Sequence, residues 1–174
     1  MFKTTANKIT MLRIVLIPVF LLLAYAGRMG AALFVFLIAS VSDFADGYIA
    51  RHYDQISDFG KFMDPLADKM LVLSAMCFFV QAGRMPGWAL AVVLLREFAV
   101  SGMRLVAVEQ GRVIAAAWSG KIKTGCTMVG LILMLLFGQS KGLCSVVSIV
   151  ILLTTVYSGV EYFWKNKDVF KDAD

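Results

Sequence analysis

Six runs of roughly twenty apolar residues, separated by short stretches of Gly, Pro and charge, leave this chain few ways to fold. They cover residues 9–27, 30–51, 60–82, 86–108, 119–138 and 143–164. A helix that crosses a bilayer takes ~20 apolar residues, and a backbone in hydrocarbon must satisfy its own N–H and C=O groups. The chain is 60% hydrophobic and 17% charged, against about 45–50% and 25% in soluble domains. That balance excludes a water-soluble globule and an intrinsically disordered chain. The expected architecture is all-α: a polytopic membrane protein with six transmembrane helices. No internal repeat, linker or low-complexity tract interrupts it, so residues 1–174 read as a single membrane domain.

Lys and Arg set the orientation. Arg28, Arg84 and Lys141 are the only basic residues in the first, third and fifth connections, and the other fourteen belong to the opposite side. Even discounting those inside the runs, both termini are expected in the cytoplasm, in a cell membrane. The net charge of +5 suits an anionic lipid surface. Nucleic acid is not an expected partner, because the basic residues follow a membrane edge and form no binding motif. The first run, preceded by Lys3, Lys8 and Arg13 and closed by Ala24-Tyr25-Ala26, imitates a cleavable leader. Its apolar core is longer than such leaders carry, so it reads as the first span. Cys77, Cys126 and Cys144 stand singly in apolar runs without ligand spacing, and read as small buried side chains.

The chemistry concentrates between positions 43 and 68, which hold six of the twelve acidic residues. Ionisable groups in a span are costly and mark function. Asp43, Asp46, Gly47 and Ala50 fall at i, i+3, i+4 and i+7, and Gly60, Asp64, Ala67 and Asp68 at i, i+4, i+7 and i+8. Each set is one stripe of a helix. A short connection makes the two helices antiparallel neighbours, with both carboxylate sets near their cytoplasmic ends. Four carboxylates in a low dielectric need a counter-charge. With no Cys or His beside them, hard divalent cations are the natural one, Mg²⁺ or Mn²⁺ before Zn²⁺. Two such ions suit a displacement at phosphorus, and Arg51 is placed to hold a phosphate. An N-cap at Asp64 followed by Pro65 would account for that one carboxylate. Asp54, Asp58 and His52 read as solvated turn residues.

The pattern Asp-x-x-Asp-Gly-x-x-Ala-Arg, eight residues, Gly-x-x-x-Asp-x-x-x-Asp resembles the signature of the CDP-alcohol phosphotransferases, and every fixed position matches from Asp43 to Asp68. The resemblance implies a six-helix membrane enzyme, often homodimeric. Such an enzyme moves a phosphatidyl group from CDP-diacylglycerol to an alcohol and releases CMP. It implies Asp43, Asp46 and Asp64 as metal ligands, and Asp68 as both ligand and general base. Gly47, Arg51 and Ser57 would contact the CDP-lipid, with Ala50 and Gly60 giving room. Upstream, Asn7-Lys8-Ile9-Thr10-Met11-Leu12-Arg13 is similar to the family's Asn-x-x-Thr-x-x-Arg segment. It implies Asn7 and Thr10 near the nucleotide.

The acceptor alcohol must be read outside the signature. Arg96, Glu97 and Arg104 lie on the fourth run and Lys121 and Lys123 open the fifth, with Glu97 aligned to Arg104 two turns on. Long basic chains near helix ends also snorkel to water. Arg104 and Lys123, with Arg96 and Lys121, are expected to form an anion pocket. The segments Arg-Glu-x-x-x-Ser-x-x-Arg and Gly-Lys-x-Lys-Thr resemble the branch of the family that makes phosphatidylglycerophosphate from glycerol 3-phosphate. Relatives using inositol phosphate, serine or phosphatidylglycerol share the signature. An aromatic prenyltransferase has different aspartate spacing. A divalent-cation transporter would carry its carboxylates near the midplane, within repeated halves.

Overall fold

The computed structural model describes the backbone of residues 5–52, 58–115 and 117–170, and the side chains of 9–42, 66–67, 69–115 and 117–169. The described residues form six α-helices and no strand: α1 Thr5–Tyr25, α2 Met29–His52, α3 Asp58–Gln81, α4 Gly87–Glu109, α5 Trp118–Phe137 and α6 Lys141–Lys165, then a 3-10 turn, Lys167–Phe170. Each helix falls on one of the six apolar runs. The ends differ where polar residues continue the backbone hydrogen bonding past the apolar stretch, as at Thr5 and Asp58. α3 begins six residues before Asp64, so the N-cap reading of that residue does not hold.

Local chemistry explains the breaks. After α1, Arg28 N–H donates to Leu23 O and Gly27 N–H to Ala24 O, with Gly27 at φ +75°. The same arrangement closes α4, where Arg112 N–H reaches Ala107 O and Gly111 stands at φ +71°. A left-handed residue is needed in this closure, and glycine adopts it without a Cβ penalty. At the start of α6, the Ser140 hydroxyl accepts from Leu143 N–H at 3.4 Å, an N-cap.

The described residues fall into two compact units, Met1–Gln81 with Leu135–Phe137, and Ala82–Met134 with Gly138–Asp174. In the first, α1 packs against α2 and α3. Its buried stripe is Thr10, Arg13, Ile17, Phe20 and Ala24, spaced by three and four residues. On the helices packed against α1, Ala32, Phe36 and Ala39 of α2 and Ala67, Leu71 and Ala75 of α3 are buried. Phe20 and Phe36 rings lie 5.6 Å apart. Tyr25 donates to Gln81, so the C-terminal ends of α1 and α3 coincide and the two helices run in the same direction. In the second unit, Arg96 meets Ser158, Arg104 meets Tyr162 and Gln110 meets Val169, so α4 and α6 are also parallel. Within each unit the intervening helix therefore returns the chain, as alternate crossings require.

Large apolar side chains also face outward on every helix: Leu22, Phe34, Met70, Leu95, Val129 and Leu153 are among them. Such a surface is a liability in water and a match to hydrocarbon. α5 and α6 are each long and apolar enough to cross a membrane. Of the cysteines, all free, only Cys144 is buried; Cys77 is exposed and Cys126 intermediate. The expectation of burial fails for Cys77 because its helix position faces away from the buried stripe, where an apolar environment must come from outside the chain.

Candidate active site

The helical backbone carries the sequence register through the acidic segment. On α2, positions 43, 46 and 50 continue, at the same three- and four-residue steps, the stripe whose earlier members Ala32, Phe36 and Ala39 are buried. On α3, positions 60, 64 and 68 share a stripe with buried Ala67, Leu71 and Ala75. On both helices the acidic positions are thus in step, along the sequence, with the buried residues. The side chains of Asp43, Asp46, Gly47, Ala50, Arg51, Gly60, Asp64 and Asp68, with Asn7 and all of Ser57, lie outside the described residues. Among the described residues no group of three or more His, Cys, Asp or Glu gathers that could hold a metal ion. The oxygen-only donors on these two stripes are the set that fits a hard divalent cation.

From α1, Thr10 and Arg13 turn inward; Arg13 is 0% exposed and the largest of the fully buried side chains. Burying a guanidinium is costly without hydrogen-bonding partners of opposite polarity. The segment was legible as Asn-x-x-Thr-x-x-Arg, but only packing shows that its Arg belongs to the buried face.

The basic residues of α4 and α5 divide into two groups. Arg96, Glu97 and Lys123 come together. Lys123 Nζ lies 2.6 Å and Arg96 Nη1 3.0 Å from the same oxygen, Glu97 Oε1. Arg96 Nη2 donates to Ser158 Oγ at 2.6 Å. Lys123 is 5% exposed, an unusual state for an ammonium group. Small residues make room: a Cβ on Gly120 would lie 3.6 Å from Arg96 Nη2, and one on Gly159 3.3 Å from Arg96 Cγ. Arg104 stands apart, donating from Nε to Tyr162 Oη at 2.8 Å, with the guanidinium 5.5 Å from the ring centroid. Lys121 is exposed and lies 5.0 Å above the Trp118 ring. The alignment of Glu97 with Arg104 along α4 does not produce a pair, because the Glu97 carboxylate reaches sideways to α5. Glu97, Ser158 and Tyr162 are the partners that linear spacing did not assign. Only the unusual Ser158-Gly159 within an apolar run hints at close approach.

Below this cluster a cavity of about 610 Å³ opens between the loop after α4 and the end of α6. Arg112, Trp118, Glu161, Tyr162, Lys165 and Asp168 line it. Tyr162 therefore joins the Arg104 contact to the cavity wall. The surroundings are polar, aromatic and mixed in charge, suited to a small hydroxylated anion.

The chain matches the family described as CDP-alcohol phosphatidyltransferase over residues 3–159. It is 40% identical over 188 residues to the CDP-diacylglycerol–glycerol-3-phosphate 3-phosphatidyltransferase of Bacillus subtilis (strain 168), covering 97% of each chain. It is 39% identical over 165 residues to a probable phosphatidylglycerophosphate synthase of Mycobacterium tuberculosis (strain CDC 1551 / Oshkosh), covering 90% of this chain and 78% of that one. A Rickettsia typhi protein named as a CDP-diacylglycerol–glycerol-3-phosphate 3-phosphatidyltransferase is 35% identical over 179 residues, 97% of this chain and 99% of the other.

Proposed function

The chain belongs to the CDP-alcohol phosphatidyltransferase family, and from that premise we propose that it transfers the phosphatidyl group of CDP-diacylglycerol to glycerol 3-phosphate, giving phosphatidylglycerophosphate and CMP. The observation that carries this reading is the similarity along 97% of both chains to a transferase named for those two substrates. It extends through the signature and through the α4 and α5 segments alike.

The reaction is a displacement. The acceptor hydroxyl oxygen forms a bond to the phosphatidyl phosphorus. The bridging P–O bond of the pyrophosphate breaks, and CMP leaves with the bridging oxygen. Asp68 takes the hydroxyl proton on its carboxylate. Asp43, Asp46, Asp64 and Asp68 would hold two divalent cations, Mg²⁺ or Mn²⁺. When bound, these draw charge from the phosphoryl oxygens and steady the departing group. Gly47, Ala50, Arg51, Ser57 and Gly60, with Asn7 and Thr10, hold the CDP-lipid. Lys123, with Arg96 beside it, receives the acceptor's phosphate; Arg104, apart from them on Tyr162, is the second candidate for it, and Lys121 stands outside over Trp118. No nucleophilic Ser, Cys or His is required, since the donor already carries a good leaving group and the protein need mainly position and neutralise.

The membrane setting follows from the same reading: a multi-pass protein of the cell membrane, six helices deep, with both termini in the cytoplasm and a homodimeric assembly. The outward apolar side chains on every helix support it. The test is a radiolabel assay of the purified protein with CDP-diacylglycerol and a panel of acceptors. Glycerol 3-phosphate should be consumed with stoichiometric CMP release, and free glycerol should be a poor substrate. Use of inositol phosphate, serine or phosphatidylglycerol instead would move the protein to another branch of the family. Cation flux without CMP release would replace the enzyme by a transporter.

A further inference from the structure

The Glu97 carboxylate is a puzzle for an anion pocket, because it sits among the cations meant to attract a phosphate. Its geometry resolves the difficulty. Arg96 and Lys123 both contact one oxygen, Oε1. One carboxylate oxygen thus holds two cations in place. Without the carboxylate, two like charges would face each other less than two hydrogen-bond lengths apart, with little water to screen them. The side chains of Arg96, Glu97 and Lys123 are 13%, 12% and 7% exposed.

The cluster is anchored from both sides. Arg96 reaches across to Ser158 of α6 and is lodged beside Gly120 and Gly159. A lysine side chain carries several freely rotating bonds, and ordering them on binding weakens affinity. A Lys123 already held at 2.6 Å has met that cost in the folded protein. We propose that Glu97 is a positioning residue: through the chain Ser158–Arg96–Glu97–Lys123 it fixes the Lys123 ammonium for the anionic group of the acceptor alcohol. The inference rests on the reading of Lys123 as a phosphate-binding residue.

The test uses full-length protein in lipid–detergent mixed micelles, measuring kcat and KM separately for glycerol 3-phosphate and CDP-diacylglycerol in E97Q, S158A, K123Q and the double variant E97Q/K123Q. E97Q should raise the glycerol 3-phosphate KM about tenfold, with the CDP-diacylglycerol KM within twofold of the parent. E97D, which restores the charge on a shorter arm, should recover part of the loss. S158A should raise the acceptor KM two- to fivefold. The double variant should be no worse than K123Q, because Glu97 acts through Lys123. An acceptor KM that falls in E97Q makes Glu97 a competitor for the phosphate and overturns the proposal. So does a fully additive double variant. If K123Q raises the acceptor KM while E97Q and S158A do not, this inference alone fails. If K123Q itself leaves the acceptor KM unchanged, the phosphate-binding reading of Lys123 fails first and carries this one with it. Should E97Q not fold, S158A decides the matter, since it removes one neutral hydroxyl at the far end of the chain and an unchanged acceptor KM there is a negative result.

Discussion

The two units manage their ionisable groups in opposite ways. The first unit, with seven Lys and Arg against six Asp in all, concentrates its six carboxylates between positions 43 and 68, where only Arg51 and Lys61 oppose them. The second, from Ala82 onward apart from Leu135–Phe137, holds ten Lys and Arg against six Asp and Glu. Its interior acid Glu97 is already met by two cations, and Glu161 by Lys165. A surplus of negative charge in a low dielectric calls for cations from outside the chain; a surplus of positive charge calls for an anion. The donor and acceptor roles proposed above divide along that line. Each prediction below is a way to break the division or to sharpen it.

The largest effect should come from the negative side. Asp43→Asn, or a strong chelator, should lower turnover by several orders of magnitude while the helical circular dichroism signal persists. A carboxylate whose task is to hold a metal ion is not replaced by a neutral amide of the same size. Full turnover in chelator would remove the cation half of the comparison.

Next is Asp68→Asn. Asparagine keeps the size and accepts no proton, so transfer should be abolished while much of the CDP-lipid binding remains, measured by equilibrium binding of a labelled donor. Parallel loss of binding and turnover would make Asp68 chiefly a ligand. Near-normal turnover would take it out of the mechanism.

On the positive side, Lys123→Gln and Arg104→Gln should each raise the glycerol 3-phosphate KM and leave the CDP-diacylglycerol KM nearly unchanged. A charge-assisted hydrogen bond is worth ~1.5–3 kcal/mol, a tenfold to more than hundredfold change in KM. Of the two, Lys123 should show the larger change, because it is buried at 5% exposure while Arg104 is exposed. If neither responds, the anion site moves to the cavity lined by Arg112 and Lys165.

How much of this was legible in the sequence follows from the same contrast. Six helices could be read because apolar length is a property of one segment at a time. The carboxylate stripes could be read because i, i+3 and i+4 steps are fixed by one helix. The Lys123 partner of Glu97 could not, since it reaches the carboxylate from α5, 26 residues away along the chain, whereas Arg96 is the neighbouring residue on α4. Nor could the burial of Arg13: a basic residue near the start of a first span reads as an orientation signal until packing places it with Thr10 on the inner face. The N-cap alternative for Asp64 was undecidable for the opposite reason. Asp-Pro is compatible with a helix start, and only the backbone beginning at Asp58 excludes it.

The smallest effect tests how finely the positive side is built. Tyr162 is 2% exposed, accepts a hydrogen bond from Arg104 Nε and lies under the same guanidinium. Tyr162→Phe keeps the ring, and with it the packing and the cation–π contact, and removes only the hydroxyl. Loss of one such bond costs about 1.5 kcal/mol at the lower end for a charged donor, with part regained when Arg104 finds water. The expected result is a two- to fivefold rise in acceptor KM, with kcat and the CDP-diacylglycerol KM unchanged. If Arg104 binds the acceptor and Tyr162 aims it, the rise should vanish in an Arg104→Gln background, where there is nothing left to aim. A fall in thermal stability with no change in any KM would instead make the Arg104–Tyr162 contact a clasp between α4 and α6. The phosphate would then be left to Lys123 and its cluster.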